Sequence, residues 1–377
     1  MTFRASALCA LAVFFAVSCS YDANDVELVS LADGGIMSFN MENGSWINEQ
    51  TNKSKPIYSK IGKLETNTDS ALYMRSVTEE MPEPELSGTS RTRATFVTAS
   101  NMYNSIQVSA YKYTGSWTTS LTPTFFHNKT FGPNSTNPYY GSAGSTERYK
   151  WPGSGVNLKF FAYTPKFDDV SLTVSPETQP EIKLEFKTPR NISDQRDLLV
   201  AVSDEVPGDY NHPVSLRFKH VLTGLRFVAR GLKPGYIKKI SLTKLFSDRT
   251  YNMTTQRWES YTRSELRAAF TNEFVLLKDI EITGELDQII NPDDIFFFPP
   301  QFLPANNSTQ LTIVYQENGK EERVLTTPSK DQLELKTFRH YVPEFKEGHI
   351  VTFYISSKSN SLALASELND FSPGEDL

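Results

Sequence analysis

The stretch Val214-Ser215-Leu216-Arg217-Phe218-Lys219-His220-Val221-Leu222-Thr223-Gly224-Leu225-Arg226-Phe227 alternates apolar and polar side chains twice over. Val214, Leu216 and Phe218 fall on one face of an extended chain; Leu225, Phe227 and the following Ala229 fall on one face of a second. A helix would space its apolar positions by three and four, so the pattern reads as two half-buried strands, with a short turn of helix near 220–224 between them.

The same alternation recurs at Ile106/Val108/Ala110, Leu158/Phe160/Ala162, Ile182/Leu184/Phe186, Leu311/Ile313/Tyr315 and Val351/Phe353/Ile355. Turn clusters separate these segments: Gly132-Pro133-Asn134, Val206-Pro207-Gly208-Asp209, Pro299-Pro300, and Glu317-Asn318-Gly319-Lys320, whose Asn-Gly pair suits a type I′ hairpin. Amphipathic helical stretches are few, the best being 264–270, where Ser264 is a plausible N-cap. The expectation is an all-β chain of antiparallel β-sandwiches with few short helices. A length of 377 residues calls for two of them. The break is expected in the Pro/Gly-rich 204–213, giving an N-terminal domain over 19–210 and a C-terminal domain over 211–377. Residues 42–70 are polar and read as a long leading loop.

Cys9 and Cys19 are the two cysteines, both near the N-terminus, which excludes a disulfide scaffold, a Cys zinc site, an iron–sulfur cluster and a CxxC redox motif in the folded body. A net charge of −6 argues against a nucleic-acid partner. Arg4 followed by the apolar run from Ala5 to Val17 reads as a signal peptide over 1–18, too short to span a bilayer. Ala16-Val17-Ser18-Cys19 resembles a bacterial lipobox, which makes Cys19 the expected acylated residue and the lipid the membrane anchor. The Ser20 and acidic residues that follow resemble the outer-membrane, surface-exposed address of Bacteroidetes lipoproteins.

Catalytic chemistry is thinly represented. The five histidines show no HExxH or paired metal spacing, and there is no GxSxG elbow, phosphate loop, dinucleotide fingerprint or EF-hand. Glu79-Glu80, Asp168-Asp169 and Asp293-Asp294 are adjacent pairs, which on a strand point to opposite faces rather than converging as acid and base. No enzyme activity, metal site or cofactor is expected. One stretch, 134–151, offers Tyr139, Tyr140 and Trp151 among Gly and Ser. These rings either face a sugar ligand or fold onto the sandwich edge; Trp117 poses the same choice.

Several segments together carry a family likeness: Ala71-Leu72-Tyr73-Met74, Ser90-Arg91-Thr92-Arg93-Ala94-Thr95, Ser105-Ile106-Gln107-Val108-Ser109-Ala110-Tyr111, Lys150-Trp151-Pro152, Leu158-Lys159-Phe160-Phe161-Ala162-Tyr163, Asp197-Leu198-Leu199-Val200-Ala201, the 214–227 stretch, 345–355 and Leu368-Asn369-Asp370-Phe371. In this order the chain resembles the fimbrillin-like (Mfa-like) pilins and fimbrium-associated lipoproteins of Bacteroides-type bacteria, although Phe345 and Phe371 stand where Trp is often found.

The resemblance implies two tandem transthyretin-like β-sandwiches, export as a lipoprotein, and a place in or on a surface fimbrium as a structural or adhesive subunit. Its partners would be other fimbrial subunits and a receptor on a host or bacterial surface. It also implies that a leading strand completes the subunit until a protease cuts after an Arg and a neighbour's strand takes its place. Here that strand is placed at 72–77, with 36–41; the cut after Arg91 or Arg93; and the donor strand at 361–368. The alternative reading is an outer-membrane surface glycan-binding lipoprotein of the same sandwich class.

Overall fold

The alternating segments become strands because each has one face to bury. In the computed structural model, which describes residues 35–42, 55–66, 71–81, 104–122, 124–134, 137–141, 148–261, 273–290, 295–303, 309–328, 330 and 337–362, the architecture is all-β. Phe338–Tyr341 is the one α-helix among the described residues. The helix expected at 264–270 lies outside them.

A nine-stranded sheet runs in the order Val214–Arg217, Phe39–Glu42, Asn137–Gly141, Phe126–Asn134, Ile106–Tyr113, Asn157–Thr164, Leu199–Val202, Lys219–His220, with Val206–Pro207 also on Asn157–Thr164. Its two end strands are separated in sequence by Phe218 alone, so the sheet curls around its own apolar face. Phe39, Phe131, Phe160, Leu216 and Phe218 fill that core. Phe39 packs edge-on against Phe131 and Phe160, with ring centroids 4.8 and 5.3 Å apart.

A seven-stranded sheet holds Ile57–Tyr58, Tyr73–Glu80, His349–Ser356, Thr223–Ala229 and Gln288–Ile290 in that order, with Gly62–Lys63 on Tyr73–Glu80 and Phe296–Phe298 on Thr223–Ala229. A five-stranded sheet orders Glu273–Ile282, Gly235–Thr243, Gln310–Glu317, Glu322–Thr326 and Glu65–Thr66. These two sheets bury one common core, Met74, Leu225, Phe227 and Phe353 from the first meeting Ile240, Leu242, Leu311 and Ile313 from the second. Gly235 is required there: a Cβ would sit 2.1 Å from the carbonyl oxygen of Gln316 on the paired strand.

A four-stranded sheet of Leu172–Val174, Lys183–Lys187, Asp248–Asn252 and Arg257–Trp258 covers the outer face of the nine-stranded sheet. Tyr111, Phe161 and Tyr163 meet Leu184, Phe186 and Tyr251 in this third core, joined by Phe297 and Ile350. The apolar run Ile295-Phe296-Phe297-Phe298 is thereby explained: Phe296 and Phe298 face one core, Ile295 and Phe297 the other. A strand buried on both faces has no polar side to alternate with.

Among the described residues pairing is antiparallel apart from two parallel pairs, Phe39–Glu42 with Val214–Arg217 and Thr223–Ala229 with His349–Ser356. The helical turn expected near 220–224 is absent. Strand gives way to strand there because the Thr223 hydroxyl donates to the Lys346 carbonyl at 2.6 Å and the Gly348 N–H donates to the Leu222 carbonyl at 3.0 Å, holding the link extended. The hairpin at 317–320 is present, but its turn is not type I′. Gly319 alone takes a positive φ of 75°, while Asn318 does not, and Lys320 N–H closes the turn onto the Glu317 carbonyl at 3.0 Å. Sheet membership changes between His220 and Thr223, beyond the expected boundary at 210, and the leading strands Ile57–Tyr58, Gly62–Lys63, Glu65–Thr66 and Tyr73–Glu80 pair within sheets formed mainly from residues after 222.

Candidate assembly interface

The sequence Leu72-Tyr73-Met74-Arg75-Ser76-Val77 forms a strand because Leu72 and Met74, both at 0% exposure, insert between the two packed sheets. The strand Tyr73–Glu80 runs antiparallel to His349–Ser356 in unbroken register, from Tyr73 opposite Ser356 to Glu80 opposite His349. On its other side, among the described residues, it meets Ile57–Tyr58, opposite Thr78 and Val77, and Gly62–Lys63, opposite Met74 and Tyr73. Tyr73–Glu80 is therefore paired on both sides, yet its outer partners precede it in the same leading segment.

Side chains reinforce the seat. Ser76 donates its hydroxyl to the Tyr341 carbonyl at 2.6 Å, and its N–H donates to the Ser59 hydroxyl at 2.9 Å. Arg75, 4% exposed, lies with its guanidinium 5.2 Å from the Tyr58 ring centroid and donates to the Leu362 carbonyl. A cut after Arg75 would fall inside a buried, paired strand.

The leading segment also reaches the nine-stranded sheet. Phe39–Glu42 lies between Val214–Arg217 and Asn137–Gly141, and Met37 N–H donates to the Tyr149 carbonyl at 2.8 Å. Residues 36–80 thus give strands to three sheets. Sequence reasoning placed 72–77 and 36–41 as extended but missed the short outer strands; the signal for one of them was the apolar pair Ile57-Tyr58 within a polar stretch.

Cys19, Arg91 and Arg93 lie outside the described residues, as do 363–368 of the expected donor strand; Ser361 and Leu362 close the 3₁₀ turn Ser359–Leu362. Tyr139 and Tyr140 fall in the strand Asn137–Gly141, with Tyr140 opposite Phe39. Trp151 is a core residue: it is 6% exposed, sets its ring edge-on to Tyr210 at 5.7 Å, and donates its backbone N–H to the Gly35 carbonyl at 3.2 Å. A ring so buried offers no face to a sugar. Trp117 packs edge-on to Tyr111 with centroids 5.0 Å apart, its ring also approached by Lys159 Nζ at 5.5 Å.

The titratable groups serve the fold. His220 Nδ1 and Asp197 Oδ2 are 2.6 Å apart, with side chains 5% and 0% exposed. Glu347 pairs with Lys219 at 3.2 Å, and burial pushes its carboxyl above the usual carboxylate range. Asp168 accepts the Ser171 N–H at 2.7 Å, and hydrogen bonds from Ser171 hold its carboxyl below that range. No group of three or more His, Cys, Asp or Glu able to hold a metal occurs among the described residues. No helix among them is long and apolar enough to cross a membrane.

A family model described as fimbrillin-like matches residues 92–370. No curated protein is significantly similar to the chain. Among solved structures, a candidate cell adhesion protein of Bacteroides ovatus shares 18% identity, covering 67% of this chain and 81% of its own, at a TM-score of 0.41. A candidate cell adhesion protein of Bacteroides uniformis shares 16%, covering 62% and 82%, at 0.38. The fimbrial anchor protein Mfa2 of Porphyromonas gingivalis shares 12%, covering 56% and 69%, at 0.28.

Proposed function

The chain belongs to the fimbrillin-like family, and from that premise we propose that it is a structural or adhesive fimbrial subunit, exported as a lipoprotein anchored through Cys19 and assembled by strand exchange. Fimbrillin-like proteins are structural and adhesive, not enzymes.

The observation that carries the assembly reading is the pairing of Tyr73–Glu80 with His349–Ser356. An ordinary central strand cannot be withdrawn, because it is held by the body of the sheet on both sides. Here the outer strands Ile57–Tyr58 and Gly62–Lys63 lie upstream of the same segment. A cut after Arg91 or Arg93 frees all of them together. Their departure exposes the backbone edge of His349–Ser356 and uncovers the pocket filled by Leu64, Leu72 and Met74, each at most 1% exposed. An open sheet edge above an apolar groove favours entry of a strand from a second subunit. Such head-to-tail contacts propagate rather than close. The alternating stretch 361–368 supplies a candidate donor, and the separate cores of the nine-stranded sheet and of the packed seven- and five-stranded sheets suit a tandem-sandwich subunit.

N-terminal sequencing of filaments sheared from the cell surface tests this. The expected start is Thr92 or Ala94; filaments whose subunits all begin at Cys19 overturn the processing step. Deleting 361–377 is expected to block polymerisation while leaving a folded monomer.

A further inference from the structure

The face of the seven-stranded sheet turned away from the five-stranded one carries Arg75 and Val77 on Tyr73–Glu80, Thr352 and Tyr354 on His349–Ser356, and Arg226 and Val228 on Thr223–Ala229. Their neighbours in the alternation, Met74, Phe353, Leu225 and Phe227, point the other way, into the core between the two sheets. An outward face of an antiparallel sheet is ordinarily polar and wet. Here Val77, Thr352 and Val228 are buried, yet neither valine belongs to any of the three cores.

The last described residues lie on this face. Ser356, opposite Tyr73, closes the final strand, and the turn Ser359–Leu362 then lies against both Tyr73–Glu80 and His349–Ser356. The Leu362 carbonyl accepts its hydrogen bond from Arg75, whose backbone is level with Tyr354, so the chain has doubled back from the end of the sheet toward its middle. Leu362 is itself buried outside the three cores. Residues 363–377 continue from that point. Crossing from Tyr73–Glu80 to Thr223–Ala229 takes two strand spacings, about 10 Å, which roughly three or four extended residues cover.

Charge matches as well. Arg226 donates from Nη2 to Thr352 Oγ1 at 3.0 Å, while its Nε is shut from solvent without a hydrogen-bond partner, and among the described residues no carboxylate pairs with it. Arg230, at the next turn of the same strand's end, is already met by Asp287 at 2.6 Å. The segment after Leu362 brings apolar Leu364 and Leu368, then the acids Glu367 and Asp370, and no Lys or Arg as far as Leu377. A guanidinium partly withdrawn from water is stabilised by a carboxylate that reaches it.

We propose that this outer face is the seat of the chain's own segment 363–371, and that the leading strand, by supplying Arg75 and Val77 to the seat, keeps that segment stored until it leaves. Loss of the leading segment then does two things at once: it opens the groove beside His349–Ser356 and removes the anchor of Leu362. A subunit becomes donor and acceptor in one step. The docking stands on the face alone; its coupling to assembly rests on the strand-exchange reading above.

Thiol accessibility tests it, in the full chain from residue 19 with Cys19→Ser, where an introduced cysteine is the sole thiol. Val228→Cys should react with iodoacetamide about tenfold or more slowly in that chain than in one lacking 363–377, while Ala201→Cys, in the core of the nine-stranded sheet, stays protected in both and reports an intact fold. Arg226→Glu should speed labelling at 228, and Glu367→Lys with Asp370→Lys in the same chain should slow it again. After Arg-specific cleavage and loss of the leading segment, the presence of 363–377 should no longer change the rate. Equal rates with and without 363–377 in the uncut chain overturn the docking, as does protection that rises with protein concentration, which assigns the face to a second copy. Failure of the charge reversal to restore protection overturns the part given to Arg226. Protection by 363–377 that persists in the cut chain overturns the coupling. Filaments whose subunits all begin at Cys19 would end the processing step yet leave the labelling of the uncut chain unchanged.

Discussion

Arg75 donates a hydrogen bond from Nη1 to the carbonyl oxygen of Leu362 at 3.0 Å, joining the leading strand to the last described turn. The same guanidinium lies against the Tyr58 ring. One buried side chain therefore ties the segment expected to leave to the root of the segment expected to be donated.

Arg75→Met keeps much of the apolar stem and removes the donor. Leaving the buried Leu362 carbonyl without this partner costs about 1–3 kcal/mol, to be measured as a lower urea midpoint at unchanged m-value. The variant should also release its leading segment faster after Arg-specific cleavage, read by gel filtration of the cut protein.

Met74→Ala removes a fully buried side chain from the core between the two packed sheets. The expected loss is about 2–5 kcal/mol in the intact chain. In a chain cut after Arg91 or Arg93 and stripped of its leading segment, the same substitution is gone with the released peptide. Equilibrium melts of wild type and variant should then coincide.

Asp197→Ala removes the 2.6 Å contact to His220, whose side chain is 5% exposed. An orphaned buried ring nitrogen costs about 1–3 kcal/mol. His220 is the last strand residue of the nine-stranded sheet before the chain crosses to Thr223. Amide hydrogen exchange across 219–225 should accelerate more than exchange across 311–315.

His127 gives a pH signature. Burial lowers its imidazolium below the ordinary 6.5, against smaller opposing effects from Glu177 and Ser175. The unfolded chain then binds the extra proton more readily, so stability rises with pH through the window below 6.5 and is flat above it. His127→Gln should remove that slope from thermal melts between about pH 5 and 6.5. Asp168 and Glu273, whose carboxyls are held down by hydrogen bonds from Ser171 and Lys239, contribute stability that is lost only as pH falls below their ordinary 3.8 and 4.5. The two effects therefore occupy separate windows.

The strands were legible because alternation is a local property: Val214 and Leu216, Leu225 and Phe227, and Val351 and Phe353 declare a buried face without reference to their partners. Partner choice was not legible. Nothing near Phe39 announces that it lies parallel to Val214, a pairing set by the aromatic core that both enter. The 220–224 link was misread as helical because its extended form depends on Lys346 and Gly348, far along the chain. Trp151 showed the limit of reading binding sites from composition. Gly and Ser neighbours suggest an open loop, while the packing against Tyr210 puts the ring inside.

The register that sets Tyr73 against Ser356 also fixes when the molecule can finish folding. Its partners are separated by roughly 270–280 residues, so the closing sheet is dominated by non-local contacts and forms slowly. A chain emerging from its N-terminus must leave the inner edge of the 73–80 segment, the one that faces His349–Ser356, open until almost all of its length has followed. Thr223–Ala229 meanwhile waits for the same late strand, His349–Ser356, which lies between it and Tyr73–Glu80. The newborn subunit thus passes through a stage with two apolar edges open at once. Its risk of premature self-association peaks just before the step that closes both, which makes the timing of synthesis and export part of how the subunit stays single.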